Sequence, residues 1–205
     1  MFGKQMESQN LALTMTGPAP DDSTADSAQT LERAVAGDRA AFDDLVRCHE
    51  RRVLMTAWRM LGSKEDAQDA AQEVFLRLYR HLHRVDPSRP LMPWLYRMTV
   101  NVCHDLHRKR QLEVEVNSGK FDPANSAADP AGEINRSEQM QMIAAALQTL
   151  TKKERAAIVL RDIQGLSTSE VADILGSRET TVRSHISSAR VKIKTFVEKM
   201  EGRRS

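Results

Sequence analysis

The sequence predicts an all-α protein: two small helical domains joined by a flexible linker, the second containing a helix-turn-helix. Three observations predict this. The 205-residue chain is only 4% aromatic and has no alternating β-branched runs, while Ala, Leu, Arg, Gln, Glu and Met, all good helix formers, dominate it. Apolar residues recur at three- and four-residue spacing in two blocks, 31–111 and 137–205. Between the blocks, residues 112–136 contain two prolines, two glycines and few large apolar groups.

Residues 1–30 are rich in Ser, Thr, Asp, Gln and Pro and read as a disordered tail. From Leu31 the pattern turns helical. Asp38 is placed to cap a helix bearing Phe42, Leu45, Val46, Val53, Leu54 and Trp58, with Gly62 as its stop. Ser63 and Asp66 form an S-x-x-D start for a helix that turns Ala67, Ala70, Ala71, Val74, Phe75, Leu78 and Leu82 to one side. The proline-bearing stretch from Asp86 breaks it. A third helix is expected from about Pro93 to Arg110, with Trp94, Leu95, Met98, Val102 and Leu106 as its apolar stripe. Beyond the linker, Met140, Ile143, Ala144 and Leu147 mark a short helix from Ser137. Thr151 with Glu154, then Ser167 with Glu170, form two capping boxes, and Gly165 and Gly176 end the helices they start. A long last helix from about Glu179 carries Val182, Ile186, Ala189, Ile193 and Val197 on its inner face.

The net charge of +2 hides an alternation. Residues 37–111 hold 14 basic and 10 acidic groups and residues 137–205 hold 12 and 8, whereas 1–36 and 112–136 each hold 2 and 5. The modestly basic blocks are therefore the ones that read as folded, and basicity alone does not establish nucleic-acid binding. No apolar run approaches the ~20 residues that span a bilayer, and the first residues lack a secretory core, so the expected compartment is the cytoplasm. Two cysteines, Cys48 and Cys103, fit that expectation.

Three constellations carry candidate chemistry. The first is Ser167–Lys194: cap, short helix, glycine turn and a longer helix with a polar start, which is the spacing of a helix-turn-helix. Its exposed face would offer Arg178, Thr180, Thr181, Arg183, Ser184, Ser187 and Ser188, with His185 nearby. Arginine reaches guanine edges bidentately, and serine and threonine serve bases or phosphates. Arg183 is expected opposite Val182 and Ile186, where it could reach a base; Lys192 and Lys194 are expected to reach phosphates only. A plain helical hairpin with a solvated face has the same spacing. The second lies in residues 88–110, where Trp94 and Tyr96 sit among Arg89, Arg97, Arg108, Lys109 and Arg110; stacking rings with cations suit a single strand. A core tryptophan and a basic helix end complementing the macrodipole would look the same. The third is Glu65–Arg80, whose outer face carries Asp66, Asp69, Gln72 and Glu73 beside Leu76, a surface suited to a basic partner helix or simply to water. Cys103, His104 and His107 have helical ligand spacing but no evident fourth partner, so no metal or other cofactor is expected. With no P-loop, nucleophile elbow or zinc-protease motif, no enzymatic activity is expected either.

In this order the constellations resemble RNA polymerase sigma factors of the extracytoplasmic-function family. AFDDLVRCHERRVLMTAWRMLGSKEDAQDAAQEVFLRLYR resembles the family's first core-binding segments, and PWLYRMTVNVCHDLHRKR its melting and −10 recognition helix. LTKKERAAIVLRDIQGLSTSEVADILGSRETTVRSHISSARVKIK is similar to its −35 recognition domain. The resemblance implies core RNA polymerase and promoter DNA as partners, admits an anti-sigma protein, and involves no membrane insertion. It implies that residues 31–111 form region 2 and 137–205 region 4. By position, Asp69, Gln72 and Glu73 would meet the polymerase clamp, and Arg89 would lie in the loop that holds a flipped −10 base. Trp94, Arg97 and Asn101 would lie on the −10 helix, and Arg183 and Ser184 would read −35 base edges. Two departures bear on specificity: His185 and Ser188 stand where the family often has arginine, and the loop DPSRPLMP has three prolines. The rival reading is a stand-alone helix-turn-helix regulator, which leaves residues 37–111 unexplained.

Overall fold

The computed structural model describes residues 24–116 and 134–202, and among these it contains helices and turns but no strand. The helices are α1 (Thr24–Val35), α2 (Arg39–Leu61), α3 (Lys64–His81), α4 (Leu91–Val116), α5 (Ile134–Gln148), α6 (Lys152–Ile158), α7 (Thr168–Leu175) and α8 (Glu179–Glu201). A short 3-10 turn, Leu82–Arg84, follows α3, and a wide π-type turn, Val159–Ile163, prolongs α6. Contacts divide the described residues into one unit over 24–148 and another over 149–202.

In the first unit, α2 packs against α1, α3 and α4. Asp38 starts α2, its carboxylate accepting the Ala40 and Ala41 amides at 2.9 and 3.2 Å. Gly62 ends α2 at φ 78°, a conformation only glycine adopts cheaply. A Cβ there would also sit 2.5 Å from the Gln148 amide of α5, which packs on α2. Ser63 accepts the Asp66 amide and starts α3. Ala41, Ala57, Ala67 and Ala70 are fully buried and keep the facing surfaces thin, while Leu45, Val53, Val74, Leu78, Leu95 and Val102 fill the space between. Burying each such Leu or Val stabilises the unit by roughly 1.5–3 kcal/mol before entropy is counted.

Three boundaries differ from expectation. α1 starts at Thr24, inside the stretch read as a tail, because Leu31 and Ala34 are buried and anchor a helix whose preceding residues are polar but helix-tolerant. α4 continues to Val116, past the expected stop at Arg110 and into the expected linker. α5 starts at Ile134 rather than Ser137. The remaining tail and linker residues, 1–23 and 117–133, lie outside the described residues. The buried face of α4 is also rotated: Leu91, Leu95, Tyr96, Thr99, Val102 and Cys103 are inside, whereas Trp94, Met98 and Leu106 are half-buried.

In the second unit, α8 packs across α6 and α7. Both capping boxes form, with Thr151 and Glu154, and Ser167 and Glu170, exchanging side-chain and backbone bonds. Ile158, Val159, Leu160, Val171, Val182, Ile186 and Ala189 form the core.

Candidate nucleic-acid interface

The second unit presents α8 by a short chain of local causes. Ser167 opens α7, and Gly176, at φ 58° and ψ 40°, ends it after eight residues. Left-handed backbone costs other residues about 1–2 kcal/mol, so glycine is the residue that turns the chain here. Arg178, in an extended conformation, then leads into α8. Val182, Ile186, Ala189 and Ile193 bury one side of α8. Helical geometry points Thr180, Ser184, Ser187 and Val191 away from that side, and all four are exposed.

Arg183 is 63% exposed, but it stands on the shoulder of this face rather than opposite the core residues. It lines an open cleft of about 440 Å³ with Arg161, Thr168, Ile186 and Arg190. Arg183 does not lie opposite Ile186 as expected, because positions three apart on a helix are neighbours. Its guanidinium donates to Glu179 at 2.6 Å, an exposed i,i+4 pair worth only ~0.3–0.5 kcal/mol, which biases the arginine without immobilising it. Arg178 and Thr181 are exposed as expected. Ser188 is half-buried and donates to Glu154 at 2.6 Å, so in this structure its hydroxyl points into the fold rather than outward.

The Glu154 carboxylate is buried and accepts from Lys192 at 2.8 Å on both oxygens and from the Thr151 amide and hydroxyl at 2.9 Å. Burial pushes this carboxyl up, but the bonds from Lys192, Ser188 and Thr151 outweigh it and hold it down at about 2. Lys192, expected at a phosphate, is thus engaged within the fold. On the other flank Arg190 donates twice to Asp162, both at 2.8 Å. These two pairs clip α8 to α6 and its wide turn, on either side of the exposed Val191. The sequence pattern missed this role for Glu154, Asp162 and Arg190. Lys194 is 78% exposed and lies 3.9 Å from the exposed Glu198 carboxylate.

In the first unit, Trp94, Arg97 and Asn101 fall on one face of α4; the tryptophan is half-buried and the other two are exposed. Tyr96, expected beside them, is a core residue on the opposite side. In the loop before α4, Asp86 accepts the Ser88 amide at 3.0 Å and its hydroxyl at 2.6 Å and lies 3.3 Å from the Arg89 guanidinium. These Ser88 bonds hold the Asp86 carboxyl below the usual range. Arg89 itself is 82% exposed.

On α3, Asp69, Gln72 and Leu76 form one exposed stripe. Glu73 borders it, paired with Arg77 at 2.7 Å, and Arg77 also reaches Asp105 on α4. Asp66, expected on the same stripe, turns inward and pairs with Arg110 of α4. A carboxylate at the first turn of α3 thereby meets a cation near the far end of α4. Burial pushes the Cys103 thiol up to about 12, leaving it a protonated core group. Among the described residues no three His, Cys, Asp or Glu side chains gather as a metal site, and no helix is long and apolar enough to cross a membrane.

Comparison with known proteins places both helical blocks of the chain in one family. Residues 33–113 match the Sigma-70 region 2 model and residues 140–193 match Sigma-70, region 4. The chain is 37% identical over 169 residues to the ECF RNA polymerase sigma factor SigE of Mycolicibacterium smegmatis, covering 80% of this chain and 65% of that one. It is 34% identical over 166 residues to the ECF sigma factor SigM of Mycobacterium tuberculosis H37Rv, covering 81% and 82%. It is also similar to CnrH, solved in complex with the cytosolic domain of CnrY, with a TM-score of 0.63, 27% identity and coverage of 85% and 98%. Two ordered domain matches and relatives spanning most of the chain lead to one conclusion: this protein belongs to the extracytoplasmic-function family of RNA polymerase sigma factors.

Proposed function

We propose that the chain binds core RNA polymerase and directs it to promoters, recognising a −35 element with α8 and a −10 element with α4 and the loop before it. The observation that carries this reading is the face of α8: exposed hydroxyls and arginines on a helix set by a glycine turn, on the same chain as the Trp94–Arg97–Asn101 face. Asp69, Gln72 and Leu76, with Glu73 at their edge, dock on a basic element of the polymerase clamp. Arg178, Thr180, Thr181, Ser184 and Ser187 contact −35 DNA, with Arg183 reaching in from the shoulder. Arg89, Trp94, Arg97 and Asn101 take the −10 strand. Unstacking a base costs a few kcal/mol, and capture of a flipped base offsets part of that cost. In this reading the chain works in the cytoplasm and performs no covalent chemistry. It also accepts a protein partner, as CnrH does in its complex with the cytosolic domain of CnrY.

Two modest DNA-reading modules become selective when a large partner holds them together, because the second contact gains effective concentration from the first. The purified chain alone is therefore expected to bind promoter duplex weakly, and core polymerase to make binding tight and specific. Run-off transcription from a fragmented genome with purified core tests this directly. Tight, specific operator binding without polymerase would instead support a stand-alone regulator.

A further inference from the structure

We propose that Glu179 is a specificity-determining residue of the −35 helix: it orients Arg183 and selects for a base that offers an amino donor in the major groove. This rests on the reading of α8 as the −35 helix. Glu179 opens α8, and no other acidic residue follows on that helix until Glu198. A carboxylate in the end of a helix that enters a groove is repelled by phosphates and by the guanine O6/N7 and thymine O4 acceptors, and is attracted to the amino groups of cytosine and adenine.

The geometry gives it a second task. One carboxylate oxygen accepts from a single terminal nitrogen of Arg183 at 2.6 Å, which leaves the remaining N–H groups of the fork for a guanine edge. The pair spans one helical turn and is exposed, with side chains 63% and 43% accessible for Arg183 and Glu179. Carboxylate and guanidinium therefore meet DNA side by side, an acceptor next to a donor. That arrangement suits two adjacent base positions: guanine under Arg183, and cytosine or adenine under Glu179. The other arginine of the cleft that lies on α8, Arg190, is held by Asp162 and does not compete for Glu179.

The test is transcription by holoenzyme from a promoter library randomised across the −35 element, using the unaltered chain, Glu179→Gln, Glu179→Ala, Glu179→Asp and Arg183→Ala. Glu179→Gln and Glu179→Ala are expected to lose about tenfold of the preference for cytosine or adenine over guanine or thymine at one position, within the range a base-edge contact discriminates. The guanine preference beside it should weaken, and Glu179→Asp should keep part of both. Arg183→Ala should relax only the guanine position. If Glu179→Gln and Glu179→Ala raise or lower all sequences equally, or change nothing while Arg183→Ala relaxes one position, the proposal is overturned and α8 remains the reader. If no variant alters preference at any position, the assignment of α8 itself fails.

Discussion

Hydrogen bonds from Thr151, Ser188 and Lys192 converge on one buried carboxylate, Glu154, and decide what those residues do. Removing Lys192 leaves a buried charge short of its partner, a loss of about 1–3 kcal/mol. Lys192→Met is thus expected to lower the melting temperature of the chain, whereas Lys194→Met, at an exposed position, should not; calorimetry on both variants checks this. The network also sets a pH dependence. The folded Glu154 carboxyl lies at about 2, below its ordinary value of 4.5, so its stabilisation is complete above about 4.5 and is lost as pH falls from there toward 2. Glu154→Gln is expected to flatten stability against pH in that window, and equal slopes for both proteins would exclude the role. The T-x-x-E capping box was legible because its four residues are neighbours in the chain. The second role of Glu154 was not, because Lys192 is 38 residues away.

At the scale of elements, two carboxylates on α3 divide the work. Asp69 faces outward, while Asp66 ties the start of α3 to Arg110 of α4. Asp69→Arg is expected to weaken binding to core polymerase with helix content unchanged. Asp66→Ala is expected to act first on stability, moving the denaturation midpoint before core affinity measured in native buffer. A polar stripe marks which helix face avoids the core, but not which member of it finds an ion-pair partner on the next helix; that depends on where α4 crosses. The turn between α7 and α8 gives a sharper case. A Cβ on Gly176 would meet nothing within 4 Å, so the cost of Gly176→Ala is purely conformational, about 1–2 kcal/mol. Urea denaturation should show that loss, and −35 preference among promoters should keep its order, since no base-reading group changes.

At the scale of the molecule, the N-terminal boundary matters. α1 puts Leu31 and Ala34 into the core of the first unit. Removing residues 1–23 retains α1 and is expected to leave transcription in vitro nearly unchanged. Removing residues 1–35 takes away a fully buried leucine and its helix, at a cost of about 2–5 kcal/mol for the leucine alone. Thermal melts and run-off assays of the two truncations separate these outcomes, and a loss of activity in the shorter deletion would reveal a role for the first 23 residues.

Helix type, the caps at Asp38, Ser63, Thr151 and Ser167, the stops at Gly62 and Gly176 and the helix-turn-helix were determined by the sequence itself, because each arises from groups within about one turn of one another. The pairings Asp66–Arg110, Asp162–Arg190 and Glu154–Lys192 join residues 44, 28 and 38 apart and were decided only by the tertiary structure. So were the inward turn of Ser188 and Tyr96 and the shoulder position of Arg183. The physical reason is rotation. A periodic pattern gives the direction of a helix's buried face only to within a residue or so. Long polar side chains at the edge of that face then find water, DNA or an internal partner according to how the neighbouring helix lies against them.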